Sequence, residues 1–186
     1  MAKGELRSEN LEEQAGIEGE RYIENFEKRA FPSLIVDMRK TEGRDANDEV
    51  GVDFVWDVQT EDGIRQLGVD VTDPEKERRQ TKVRRLMHTP CVVLYDNENN
   101  PITEESIPRV LINYRLGYFL LLGRRAEQSG GEVYDQMTEK EQKDIKREQL
   151  DQILNQTALL SQRDSDYRNK VRAIRKAFQK ERDSLR

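Results

Sequence analysis

The stretch Val50–Asp73, "VGVDFVWDVQTEDGIRQLGVDVTD", decides the reading of the fold. Two apolar runs flank "QTEDG", whose Asp62-Gly63 pair is a turn signal, so "VGVDFVWDV" and "IRQLGVDVT" read as two antiparallel strands of a hairpin. Each run carries an aspartate among apolar neighbours, Asp53 in the first and Asp70 in the second. Burying an unpaired carboxylate costs several kcal/mol or forces its pKa upward. Two such residues in paired strands therefore call for a partner, a metal or a catalytic role, unless they only form turns at strand ends. With a turn at Thr60–Gly63, Asp53 and Asp70 are expected about two residues out of direct register, near enough to share a cation. Asp57 is four residues beyond Asp53, on the same face but nearer the turn. Two converging carboxylates are the minimum that holds Mg²⁺.

Outward from this hairpin, the spacing of Leu11, Ala15, Tyr22, Ile23, Phe26 and Ala30 predicts a helix. Gly16 and Gly19 permit close packing on it, and Pro32 ends it. "SLIVDM" from Ser33 is a first strand and "TEGRDANDE" a polar loop. Asp73-Pro74 starts a helix that runs to about Met87. "PCVVLYD" is nearly all apolar and reads as a central fourth strand. Ile107, Leu111, Tyr114, Tyr118 and Leu121 fit a helix from about Ile107 to Gln128, closed by Gly130-Gly131. A strand at Tyr118–Leu122 is the alternative there. The order helix, three strands, helix, strand predicts an α/β mixed sheet with flanking helices.

The chain has 186 residues, 34% hydrophobic and 37% charged, with a net charge of -5. That is too polar for one large core, so a compact domain over 11–128 and a polar helical tail over 132–186 are expected. In the tail, Leu150, Ile153, Leu160, Tyr167, Val171, Ile174, Phe178 and Leu185 recur as a heptad, weakened by Thr157 and Asp164. The seam suits a helical pair docked on the domain. It equally suits a coiled coil that forms a homo-oligomer or takes a helical protein partner. From Arg163 onward there are nine Lys/Arg against four Asp/Glu. Cys91 is the single cysteine and His88 the single histidine, which excludes a disulfide framework and a multi-cysteine zinc site. No apolar run approaches the ~20 residues of a membrane span. With no apolar signal core at the start, the expected location is cytoplasmic.

The helix "GIEGERYIENFEKRAF", the strands "VGVDFVWDV" and "LGVDVT", a basic helix and "CVVLYD" together resemble the PD-(D/E)xK nuclease superfamily, most of all the archaeal Holliday-junction resolvases and related small nucleases. The resemblance covers about Gly16 to Asp96. It implies a restriction-endonuclease-like fold with an αβββαβ core, and a Mg²⁺-dependent hydrolase acting on DNA or RNA. It places the helix glutamate on Glu20 and the metal aspartates on Asp53 and Asp70. The lysine of the acidic-x-lysine triplet falls on Thr72, which cannot stabilise developing phosphate charge. Some members carry that lysine on the following helix, which here offers Lys76 and Lys82. A migrated lysine at Lys82 and a domain that kept the fold but lost catalysis both fit. The same helix, "PEKERRQTKVRR", holds Lys76, Arg78, Arg79, Lys82 and Arg85, a stripe that suits phosphates or a solvated, ion-paired face. Arg39, Lys40 and Arg44 are a second, weaker candidate contact. Trp56 reads as core, His88 as a partner of its helix dipole, and Cys91 as buried and inert. Two functions follow as expectations: a Mg²⁺-dependent nuclease, or an inactive nuclease-fold module that assembles through its tail.

Overall fold

The computed structural model describes residues 2–41, 51–73, 78–95, 100–101 and 105–185. The elements are α1 (Ala2–Ala30), β1 (Ile35–Lys40), β2 (Phe54–Thr60), β3 (Gly63–Thr72), α2 (Arg78–His88), β4 (Cys91–Val92), β5 (Ile107–Asn113), α3 (Leu116–Ser129), a 3-10 turn (Tyr134–Gln136), α4 (Glu139–Arg163) and α5 (Ser165–Ser184). Among the described residues the fold is α/β: a five-stranded mixed sheet in the order β1-β2-β3-β5-β4, with five α-helices. β3 and β5 run parallel; the other neighbours are antiparallel. No helix among the described residues is long and apolar enough to cross a membrane.

The β2–β3 hairpin forms where the sequence places it. Its register runs from Phe54 opposite Val69 to Thr60 opposite Gly63. The turn holds only Glu61 and Asp62, so Asp53, one residue before β2, comes opposite Asp70. The expected two-residue offset is thus corrected: a two-residue turn leaves no slack to stagger the strands. Alternation then sorts the side chains. Phe54, Trp56 and Val58 enter the main core, while Val55 joins a smaller cluster with Val52, Val92, Leu94 and Ile107.

Two element assignments change. Ile107–Asn113 is a strand rather than the start of a helix, and six of its seven residues are buried. A largely apolar run with β-branched residues, interrupted by Arg109, is compatible with an interior parallel strand, and its chance helical spacing does not outweigh pairing with β3. The helix starts only at Leu116, so Tyr118–Leu122 is helical and not a strand. β5 takes the interior position expected for "PCVVLYD", which contributes two residues to an edge, paired with Ile107 and Pro108.

That short β4 leaves most of β5's outer edge uncovered, and α4 closes it. The Gln156 carboxamide accepts from Leu111 N–H at 2.9 Å and donates to Leu111 C=O at 2.5 Å. One turn earlier, the Gln152 carboxamide accepts from Asn113 N–H at 2.8 Å and donates to Asn113 C=O at 3.4 Å. Four helical residues rise ~6 Å and two strand residues ~6.6 Å, so glutamines one turn apart meet successive edge amides. At the near end, Arg109 C=O accepts from Tyr167 O–H at 3.1 Å and Arg109 N–H donates to Pro90 C=O at 2.9 Å. A sheet edge that would template aggregation is thus hydrogen-bonded within the chain.

The tail packs into the same core as the sheet. Leu150, Ile153, Leu160, Tyr167, Val171, Ile174 and Phe178 are all buried, and the Phe178 ring lies 6.4 Å from Trp56. This is the arrangement of a docked helical pair, so the heptad seam faces inward. Asp164, a seam position in sequence, interrupts the heptad: its carboxylate accepts from Tyr167 N–H at 2.9 Å and caps α5. A capping box between Thr138 and Glu141 starts α4. α1 and α3 approach closely: a Cβ at Gly19 would stand 1.9 Å from Leu116, and one at Gly123 would stand 2.3 Å from the Tyr22 ring. A Cβ at Gly16 would meet nothing within 4 Å, so the close packing belongs to Gly19.

Candidate active site

The hairpin register sets Asp53 and Asp70 against each other at the end of the sheet away from the turn. Asp70 is 3% exposed. Val71 N–H donates to Asp53 Oδ2 at 2.6 Å, which fixes that carboxylate. α2 then brings Lys82 back over the strand ends. Its ammonium donates to Asp70 Oδ1 at 2.5 Å, to Val71 C=O at 2.6 Å and to Asp53 Oδ2 at 3.4 Å. Three oxygens from two strand ends therefore converge on one cation, and that cation is Lys82.

The electrostatics follow from this burial. Desolvation pushes the Asp70 carboxyl well above the usual aspartate range; Asp53 adds to the effect, while Lys82 opposes it. Desolvation works against the Lys82 ammonium, yet Asp53 and Asp70 outweigh it and hold its pKa above the usual lysine value. The lysine stays charged at neutral pH beside a carboxyl that is easily protonated. A carboxyl poised in this way can exchange a proton near neutrality, and an ammonium held beside it can stabilise a developing oxyanion.

Asp70 has a second cationic side. A Cβ built on Gly51 would lie 3.0 Å from Arg85 Nη1, 3.1 Å from Asp70 Oδ2 and 3.3 Å from Arg109 Nη1. Both guanidinium groups and the second oxygen of the carboxylate therefore crowd one glycine. Gly51 has φ of 72°, a left-handed conformation that itself favours glycine. Arg109 is 1% exposed, and its Nε donates to Thr89 C=O at 2.7 Å. Burial lowers its pKa and Asp70 partly restores it.

Glu20 borders this cluster without joining it. Its carboxylate pairs with Lys40 at 3.0 Å, and its pKa is raised chiefly by burial, with Asp53 contributing. Among the described residues no three Asp, Glu, His or Cys side chains converge as a metal group. Thr72 is buried, and its hydroxyl donates to Asp73 C=O at 3.5 Å. Asp57 lies apart, accepting from Arg39 at 3.0 Å and from Gln66 at 3.2 Å. Of the basic stripe, Lys82 and Arg85 turn toward the sheet end and Arg79 is exposed. Arg78 opens α2, while Lys76 and Arg44 lie outside the described residues. His88 is exposed at the end of α2. Cys91 is half-buried, and burial pushes its thiol up to about 11.

Arg109 and Gly51 are the members the sequence reading did not single out. Arg109 sits in "IPRVLINY", a charge inside an apolar run, which is the signal that exposed Asp53 and Asp70. No family model, curated protein or solved structure matches the chain. The chemistry of the site rests on its own geometry.

Proposed function

We propose that this protein is a metal-dependent nuclease-fold phosphodiesterase acting on nucleic acid, with Asp53, Asp70 and Lys82 as its catalytic centre. The carrying observation is the delivery of the Lys82 ammonium from α2 onto Asp70, Asp53 and the Val71 carbonyl. This supports a lysine supplied from the helix at the place where the strand offers Thr72. The mixed sheet entered through α1 and a β-hairpin is consistent with the PD-(D/E)xK resemblance.

Hard oxygen ligands suit Mg²⁺, which is commonly held by one or two carboxylates with water completing its shell. Asp53 and Asp70 would hold it, with the Val71 carbonyl beside them. When bound, the metal supplies Lewis-acid polarisation of a phosphoryl oxygen and a more acidic water. Lys82 would stabilise charge on the scissile phosphate. Arg79, exposed on α2, would meet the backbone on either side.

A second reading is an inactive module of the same fold. It is favoured by the engagement of Lys82 with three oxygens, which balances the carboxylates without a metal, and by Glu20's pairing with Lys40. Assembly would then use the outer faces of α4 and α5, since their seam is in the core. The discriminating experiment presents single-stranded, duplex and branched DNA and RNA to the protein with Mg²⁺ or Mn²⁺. Cleavage abolished by chelation and by Asp70→Asn supports the nuclease. A wild-type protein inert on every form transfers the case to the module.

A further inference from the structure

α4 and α5 enclose a groove of about 520 Å³ whose charged lining is wholly cationic. One wall carries Arg168, Arg172, Arg175 and Lys176; Ser161 and Gln162 stand on the other. The four cations follow from helical geometry. Tyr167, Val171, Ile174 and Phe178 point α5 into the core, and the basic residues fall on its flank, roughly a quarter-turn or more round the helix. Arg168 is anchored at the groove's mouth, where its Nε donates to Ser161 C=O at 2.6 Å. Two other cations of α5 are neutralised: Lys170 pairs with Asp166 at 2.8 Å and Arg182 with Asp151 at 2.7 Å. Among the described residues no ion pair involves Arg172, Arg175 or Lys176. The chain as a whole has a net charge of -5, so this concentration of unneutralised positive charge is local.

We infer that this groove binds the phosphodiester backbone of a nucleic acid, at a surface separate from the stripe on α2. The inference deepens the nucleic-acid reading above and rests on it for the choice of occupant. From Arg168 to Lys176 the cations extend ~12 Å along the helix, the axial rise of three to four base pairs of a duplex at ~3.4 Å each. A linear polyanion suits that distribution better than a single phosphate does. Three of the four are arginines, whose guanidinium fork matches phosphate oxygens. The lining offers no large exposed apolar side chain to enter a lipid surface, since Val171 is buried at its floor.

The test uses the full chain in EDTA, so that binding is read without cleavage. Fluorescence anisotropy follows a labelled duplex and a labelled single strand across a range of KCl concentrations. The triple variant Arg172→Gln/Arg175→Gln/Lys176→Gln should weaken duplex binding at least about tenfold. It should also lower the slope of log K against log salt by about 2 to 3. Should that variant unfold, Arg172→Gln and Lys176→Gln singly should each lower the slope by about 0.9. Arg172→Lys/Arg175→Lys should keep it. Unchanged affinity and slope in the glutamine variants would overturn the inference, even if the wild type cleaves. Wild-type preference for vesicles containing phosphatidylserine over duplex at the same salt would overturn it too, as would binding to neither. Groove-dependent binding by a protein that cleaves nothing would sustain the inference while removing the phosphodiesterase reading.

Discussion

Replacing Lys82 by methionine removes the one cation shared by Asp53 and Asp70 while keeping most of the side-chain volume. The contacts at 2.5 and 3.4 Å correspond to gross attractions of about 7 and 5 kcal/mol at an effective dielectric constant near 20. Most of this is offset by the desolvation of the three groups, and removing one partner of a buried pair typically costs about 3–5 kcal/mol. Asp70 limits the damage by taking a proton. Its folded pKa already lies above the ordinary aspartate value, and loss of Lys82 raises it further. A carboxyl with a raised folded pKa contributes most below its unfolded pKa and loses that contribution as pH rises through the folded value. The variant should therefore be destabilised by about 3–4 kcal/mol at pH 8 and by about half as much at pH 5. Urea denaturation at the two pH values measures both, with the denaturant slope unchanged. A loss below about 1 kcal/mol at both pH values would mean a solvated surface pair and refute the reasoning.

Three further outcomes are expected. Gly51→Ala should lower stability by about 1–3 kcal/mol, because it forces φ of 72° on alanine and sets a methyl within 3.0–3.3 Å of Arg85, Asp70 and Arg109; an unchanged melting curve would contradict it. Glu27 is fully buried, its Oε1 accepts from Tyr114 O–H, and burial pushes its carboxyl up to about 8. The folded state therefore holds a proton that the unfolded chain releases above about 4.5, and stability falls from pH 4.5 to 8. Glu27→Gln should remove a few kcal/mol of that fall, so wild-type and variant curves of stability against pH that stay parallel would refute it. Gln156→Ala should strip the Leu111 amide and carbonyl of their partners, cost about 1–3 kcal/mol and accelerate Leu111 hydrogen exchange; unchanged exchange would show that water replaces the glutamine.

The hairpin was legible because its signals are local: alternation on both sides of Asp62-Gly63 and an aspartate inside each apolar run. Lys82 could be singled out because it lies in the basic stretch that follows Asp70 and Asp73 closely in the chain. What stayed hidden depends on distant partners. Ile107, Leu111 and Tyr114 are spaced like a helix face, and it is β3 on one edge, with the short β4 and two glutamines more than 35 residues away on the other, that makes the segment a strand. Once that segment is read as helix, Arg109 cannot be recognised as a buried cation beside Asp70. The tail's amphipathicity was visible, but a heptad does not say whether its seam meets another chain or Trp56. The register of Asp53 and Asp70 follows directly once the turn is counted as the two residues Glu61 and Asp62.

The rate of metal-dependent nucleic-acid cleavage by the wild type against Lys82→Met, at a temperature where both are folded, tests the central claim most directly. If Lys82 stabilises charge at the scissile phosphate, the wild type cleaves in Mg²⁺ or Mn²⁺ and the variant is slower by about 10²-fold or more. Equal rates, or a wild type that cleaves nothing in either metal, would contradict it.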